Sequence, residues 1–155
     1  MFPKLVVEHV KTQAQLEQAL SVRRQVFIEE QLVPENIERD VFDSWMAHRK
    51  DVLHVVGYLQ GKPVAAGRVV LKRPGGGLPK IGRIAVLQSQ RGQGFGVQIM
   101  TFIHHLSKAS GVCAVTLSAQ SHAVSFYVSL GYQPIGDVHF EADIEHQMME
   151  YTLSS

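Results

Sequence analysis

A chain of 155 residues is of one-domain size and buries roughly two thirds of the surface its unfolded form exposes, so it requires neither disulfides nor a structural metal. Its 15 basic and 14 acidic residues nearly cancel, which argues against a nucleic-acid-binding face or a polybasic membrane patch, and its single Cys113 excludes an internal disulfide framework. No run reaches transmembrane length and the N-terminal MFPKLVVEHVKTQAQ lacks a secretory apolar core, so a cytoplasmic protein is the expectation.

In chain order, KLVVEHV reads as a strand. Thr12 and Gln15 form a capping box, behind which Leu16, Ala19, Leu20, Val22, Val26 and Phe27 keep helical spacing. The acidic IEEQLVPENIERDVFD, broken by Pro34, reads as a loop with a short helix. LHVVGYLQGKPVAAGRVVLKR reads as two strands around a turn at Gly61 to Pro63. PGGG marks a further connection and KIGRIAVL a third strand of this group. A glycine-rich loop follows, then a helix whose Ile99, Phe102, Ile103 and Leu106 step by three and four until Gly111. VCAVTLS is a buried strand, with Cys113 read as a buried, inert thiol. Ser121 is placed to cap a helix carrying Val124, Tyr127, Val128 and Leu130, which stops at Gly131. YQPIGDVHF and HQMMEYTL close the sheet. Strands with helices inserted between them predict a mixed α/β sheet in a single domain over 1–155, with no repeat or linker to divide it.

The loop QSQRGQGFG places Gly92, Gly94 and Gly96 between a strand and a helix. Two explanations are open: a tight turn that needs positive φ, or bare backbone that lets an anion approach the free amides of a helix start. Arg91 adds a cation to the second. The loop is not a P-loop, because Gly-Lys-Ser/Thr is missing, and its spacing is wrong for a dinucleotide fingerprint.

RGQGFG has the Arg-x-x-Gly-x-Gly form of the GNAT superfamily of acyl-CoA-dependent N-acetyltransferases. IGRIAVL resembles their central strand, and AVSFYVSLGY resembles their Ala-x-x-x-Tyr-x-x-x-Gly-Tyr/Phe segment. With VFIEEQLVPENIERDVFD, GRVVL, LSAQSHAVSFYVSLGYQPIG and FEADIEHQMM in the same order, nearly the whole chain resembles the small stand-alone bacterial ElaA/YjcF-like members. The resemblance implies a GNAT-type acyl-CoA N-acyltransferase fold: mixed α/β, with a splayed central sheet flanked by helices. It implies acetyl-CoA as donor, and Arg91, Gly92, Gln93, Gly94, Phe95 and Gly96 as the pyrophosphate loop. Ile84, Ala85 and Val86 would pair with the pantetheine amides as an added strand does. Gln120 falls where many relatives carry an Asn that touches the cofactor arm, and Tyr127 falls on their usual general acid. Ser118 departs from the Asn of the subgroup's NAQ segment.

The attacking amine must be neutral, so something must take its proton. Glu29, Glu30, Glu35, Glu38, Asp40 and Asp43 form one acidic stretch, readable as a solvated loop or as an acceptor entrance. Glu30, which matches the family's Glu-Gln pair, is the first choice of base; His54 is the second and a water chain the third. The eight histidines include no His-x-x-x-His or Cys/His pair with ligand spacing, so no metal is expected. His104 and His105 are adjacent on a helix and diverge. His146 resembles the family's Pro-His position, with Glu145 in place of Pro; an acceptor-site role and a structural one are both open. Phe126, Met148 and Met149 read as core. The acceptor is a small-molecule or peptidyl amine, and a homodimer is the assembly that the relatives suggest. Three functions compete: an acetyl-CoA-dependent N-acetyltransferase, a phosphotransferase using the glycine loop, and a non-catalytic acyl-CoA-binding module. The missing phosphate-binding Lys argues against the second and Tyr127 against the third.

Overall fold

Two strands, β2 (Val52–Leu59) and β3 (Lys62–Val70), form the most buried hairpin of the chain. Their neighbouring residues Val55 and Val56, and Ala65 and Ala66, are all 0% exposed. Adjacent strand residues point to opposite faces, so both faces of this hairpin are covered. The computed structural model describes residues 3–46 and 50–153. Around the hairpin a seven-stranded sheet runs in the order β1-β2-β3-β4-β5-β7-β6. The outer strands are β1 (Leu5–His9), β4 (Lys80–Val86), β5 (Ala114–Gln120), β6 (Gln133–Glu141) and β7 (Ile144–Thr152). Every pairing is antiparallel except β4 with β5. A parallel pair needs a crossover, and helix α3 (Phe95–Ala109) supplies it. The sheet is mixed and helix-flanked, as the sequence predicts.

One face packs on helix α1 (Gln13–Arg23), whose Leu16, Ala19 and Leu20 cluster with Val56, Ala66 and Ala85. The other face packs on α3 and the short α4 (Val124–Ser129), where Ile99, Ile103 and Tyr127 cluster with Val55, Ala65, Ile81, Leu117 and Ala119. Thr12 caps α1, its Oγ1 accepting from the Gln15 N–H at 3.1 Å. The reciprocal bond differs from expectation: Gln15 Oε1 accepts from the Lys11 N–H at 2.7 Å. Beyond Arg23 the rod continues as a wider π-helical stretch, Arg24–Glu30, which apolar spacing alone does not distinguish from an α-helix.

A bulge in β4 shapes the centre of the molecule. Ala85 pairs with Ala66 but Gly82 with Arg68, so Arg83 and Ile84 together stand opposite Gly67. Arg83 takes φ +56 to do this. The extra residue reverses the alternation: Ile81 belongs to the α3 face and Ala85 to the α1 face, although both numbers are odd. A Cβ at Gly67 would stand 2.7 Å from Ile84 Cδ1 and 2.9 Å from Ile103 Cδ1, so a larger residue there would have to displace these side-chain ends. Past the bulge the sheet opens. β4 and β5 pair only at Lys80↔Thr116 and Ile81↔Leu117, and from there the two strands diverge toward Val86 and Gln120.

Four local readings need correction. The hairpin turns at Gln60 and Gly61 (φ +51 and +78), and Pro63 already lies within β3. Ser121 does not cap α4; its Oγ donates to the Glu145 carbonyl at 3.3 Å, and a 3-10 turn precedes the helix. Cys113 is exposed, since it sits one residue before β5 begins. The acidic stretch is neither a solvated loop nor an open entrance. Glu38, on the short helix α2 (Glu35–Glu38), is 2% exposed, and Arg23 is 1% exposed. Arg23 donates to Glu38 Oε2 at 2.8 Å and to Asp43 Oδ1 at 2.7 Å. Arg68 of β3 donates to Asp40 Oδ2 at 2.6 Å, and Arg83 of the bulge to Glu38 Oε2 at 3.0 Å. Paired burial is the one condition under which such charges are tolerated inside, and this network fastens α2 and the following 3-10 turn (Val41–Asp43) over the sheet. Among the described residues no helix is long and apolar enough to cross a membrane.

Candidate active site

The opening between β4 and β5 is a cleft of about 740 Å³ that reaches both faces of the sheet. On one side it is bounded by Val26, Phe27, Val33 and Ile37 of the π-helix and α2 region, on the other by Phe126 and Tyr127 of α4. Ile84, Ala85, Val86, Arg91, Gly92, Gly94, Phe95, Gly96, Gln120, Tyr127 and Glu30 all line it. Gln93 and His54 do not.

At the wide end, β4 leads into a 3-10 turn (Gln88–Gln90), the glycine loop and the start of α3. Gly92 and Gly94 have φ +81 and +79, which only glycine adopts without strain, and nothing lies within 4 Å of where a Cβ would stand. Gly96 differs: its Cβ would meet Phe126 Cζ at 3.3 Å, so its bareness lets α3 and α4 approach. The first intrahelical bond runs from the Gln98 N–H to the Gly94 carbonyl, and among the described residues no side chain caps the helix. The amides of Phe95, Gly96 and Val97 therefore lack an intrahelical acceptor at the positive end of a 15-residue dipole. The turn explanation is met at Gly92 and Gly94, and the free amides beside them are the groups that the anion explanation requires.

Arg91 is held in place rather than projected at an anion. Its Nε donates to the Val86 carbonyl at 2.9 Å, and Nη1 and Nη2 donate to the two carboxylate oxygens of Glu30, each at 2.7 Å. These bonds bear on the choice of Glu30 as base. Both of its oxygens are engaged, and the bonds from Arg91 hold its carboxyl below the ordinary range. His54, the second choice, lies away from the cleft lining. It is 8% exposed on β2, and its Nε2 donates to the Phe42 carbonyl at 2.8 Å. Burial pushes its pKa down to about 4 despite that bond. Gln93 turns back on the loop, donating to Gln90. Gln120 is spent on a double amide bridge with Gln31, with bonds of 2.7 and 3.2 Å that tie β5 to the end of the π-helix.

Tyr127 stands on the α4 side, 8% exposed, with Phe126 and Tyr132 edge-on at 5.0 and 5.8 Å. Burial pushes its phenol up to about 12, so the hydroxyl keeps its proton at neutral pH. No hydrogen bond occupies that hydroxyl among the described residues.

The opposite side holds residues that sequence reasoning passed over. Leu117 and Ala119 face α3, so Ser118 and Gln120 face the π-helix. Ser118 Oγ donates to Glu141 Oε2, which is also bonded by His139 Nε2. Desolvation works against the ionised form of Glu141, yet these two bonds outweigh it and hold the carboxyl low. His146, 8% exposed, lies opposite Gln120 in the β5/β7 ladder and lines the cleft. Its Nδ1 is 2.7 Å from the Ile144 carbonyl. Glu141, Gln31 and Lys80 were not singled out from sequence. The turn that folds Glu141 back onto β7 is Ala142-Asp143, with φ +50 and +62, and this pair carries no glycine or asparagine to announce it. Among the described residues no group of three or more His, Cys, Asp or Glu is placed to hold a metal ion; His48 lies outside them.

This geometry can bind a polyanion at the wide end, an extended amide chain along the bare β4 edge, and a reacting centre between a phenol and an imidazole–carboxylate pair. Residues 9–153 match the family model described as "Acetyltransferase (GNAT) domain". The Bacillus subtilis "Uncharacterized N-acetyltransferase YjcF" is 37% identical over 142 residues, covering 90% of this chain and 95% of that protein. The crystal structure of Escherichia coli ElaA superposes with a TM-score of 0.79 at 27% identity, over 96% of this chain and 99% of that one. An acyl-CoA N-acyltransferase from Pseudomonas aeruginosa superposes with a TM-score of 0.78 at 28% identity, over 96% and 98% of the two chains.

Proposed function

Because this chain belongs to the GNAT acetyltransferase family, we propose that it moves an acetyl group from acetyl-CoA directly to a primary amine, with both substrates bound at once and Tyr127 as general acid. The observation that carries this reading is the β4/β5 cleft, a single passage that joins the amides of the α3 start to the free Tyr127 hydroxyl.

The chain's own groups fit the donor. The amides of Phe95, Gly96 and Val97 receive the pyrophosphate, and the open positions at Gly92 and Gly94 leave it room. The β4 edge beyond the bulge offers backbone groups at Ile84 and Ala85 to the pantetheine arm. Val86 contributes less, because its carbonyl already accepts from Arg91. Arg91 and Glu30 strap the π-helix to the mouth of the cleft. Tyr127 protonates the departing thiolate, a task suited to a phenol that holds its proton until strong basicity develops beside it.

The test is thiol release from acetyl-CoA in the presence of a panel of primary amines, with the product mass measured. Amine-dependent release and a mass gain of one acetyl group are expected. Tight coenzyme A binding with no amine dependence would leave a non-catalytic acyl-CoA module instead. Stabilisation by ATP with Mg²⁺ but not by coenzyme A would reject the assignment altogether.

A further inference from the structure

We propose that His146 is the residue that takes the proton from the incoming amine and that Glu141 is the carboxylate that receives it as a cation, selecting a primary ammonium on an apolar body. The inference rests on the acetyl-transfer reading above and adds the acceptor side to it.

A neighbouring carbonyl fixes the tautomer of His146. The Ile144 carbonyl only accepts, so at 2.7 Å from His146 Nδ1 it holds the hydrogen on that nitrogen. The lone pair of the neutral ring is then on Nε2, which has no hydrogen-bond partner among the described residues. His146 is buried yet lines the cleft, on the face of the sheet opposite Tyr127. Base and acid thus stand on the two sides of one passage, with room for a thioester carbonyl between them.

Glu141 supplies the charge. Ser118 and His139 both bond its Oε2, which leaves Oε1 for a further donor. Charged and titratable groups around this pair include His139 on β6, Lys80 on β4, Arg83 on the bulge and His122 on the 3-10 turn (Ser121–Ala123) packed against β7. Arg83 is committed to Glu38 through bonds at 3.0 and 3.1 Å. Lys80 lies near enough to feel Glu141, and burial lowers its hold on its own proton. Phe27, Val33, Ile37 and Ile144 line the same cleft and give it an apolar wall. Such a wall with a carboxylate in it suits an amine with an apolar body and disfavours one bearing an anionic group.

The step balances. The ammonium gives one proton to His146 Nε2, and the neutral nitrogen attacks the thioester carbon. The C–N bond forms and the C–S bond breaks, with Tyr127 protonating the sulfur. The second proton leaving the nitrogen restores Tyr127, and His146 returns its proton to solvent, so one proton is released per amide formed.

The experiment measures kcat/KM from pH 6 to 10 with acetyl-CoA and phenethylamine, and with phenylalanine as the same body carrying a carboxylate. Wild type should prefer phenethylamine. His146→Asn keeps an amide N–H for the Ile144 carbonyl but has no basic nitrogen. It should lower kcat/KM roughly 10²-fold or more, leave acetyl-CoA affinity unchanged, lose the acidic limb of the profile and recover activity in added imidazole. Glu141→Gln should raise the phenethylamine KM and narrow the preference. An active wild type with an unchanged limb in His146→Asn, or a loss of activity that imidazole does not restore, overturns the role of His146. A preference for phenylalanine overturns the acceptor class. No turnover of any amine by a wild type that binds acetyl-CoA overturns the acetyl-transfer reading, and this inference with it.

Discussion

Two side chains carry most of the chemistry that can be isolated by single substitutions. Tyr127→Phe removes one hydroxyl that no neighbour uses and keeps a ring packed edge-on between Phe126 and Tyr132. Turnover should fall roughly 10²–10⁴-fold, the usual worth of a general acid, while acetyl-CoA affinity by calorimetric titration stays near wild type. Unchanged turnover under conditions where chemistry limits the rate would return Tyr127 to a packing role. Glu30→Gln tests the strap. Glu30 sets a negative charge beside the loop and occupies both terminal nitrogens of Arg91. Removing the charge should tighten coenzyme A binding by about two- to fivefold, an effect that shrinks as salt rises. Weaker binding would mean that Glu30 is needed to aim Arg91 at the ligand. The motif around Tyr127 was legible because residue type and spacing carry it. The true neighbours of Glu30 were not, since Arg91 is 61 residues away in sequence and only the fold brings the two together.

Between residues, the acidic stretch shows how an element can mislead. Its charges read as solvent-facing because their partners, Arg23, Arg68 and Arg83, come from α1, β3 and β4. Arg23→Met should cost about 3–5 kcal/mol, because it strips the most buried guanidinium from two buried carboxylates and leaves Glu38 to Arg83 and Asp43 to Arg68. Chemical denaturation checks this, and a loss under 1 kcal/mol would contradict it. The same region sets a pH dependence. Burial holds His54 near 4 in the folded chain against 6.5 when unfolded, so its contribution is full above 6.5 and is lost as pH falls toward 4. A shift of this size corresponds to about 3 kcal/mol. Asp43 is opposed by desolvation but pulled well below its ordinary 3.8 by Arg23, so its contribution is present above 3.8 and fades only at lower pH. Melting temperature should therefore be flat above 6.5, decline between 6.5 and 4, and decline again below. His54→Gln, which preserves a donor for the Phe42 carbonyl, should flatten the first decline; an unaltered slope there would assign it to other groups.

Across the whole molecule, strands, helices and the glycine loop were readable because alternation, helical spacing and glycine placement are local signals. The bulge at Arg83 was not readable. Gly82 stands just before it, but the positive φ falls on Arg83, and the bulge's effect, the exchange of faces between Ile81 and Ala85, exists only once β3 supplies Gly67 as its partner. The cleft follows from that one extra residue, because β4 turns away from β5 where the bulge begins. Direct transfer requires that the cleft hold donor and acceptor together. The most direct test is the initial velocity of thiol release over a matrix of acetyl-CoA and amine concentrations. Double-reciprocal lines that intersect are expected for a ternary complex. Parallel lines, the mark of an acetylated enzyme formed before the amine binds, would contradict direct transfer, and release independent of amine would contradict acetyl transfer itself.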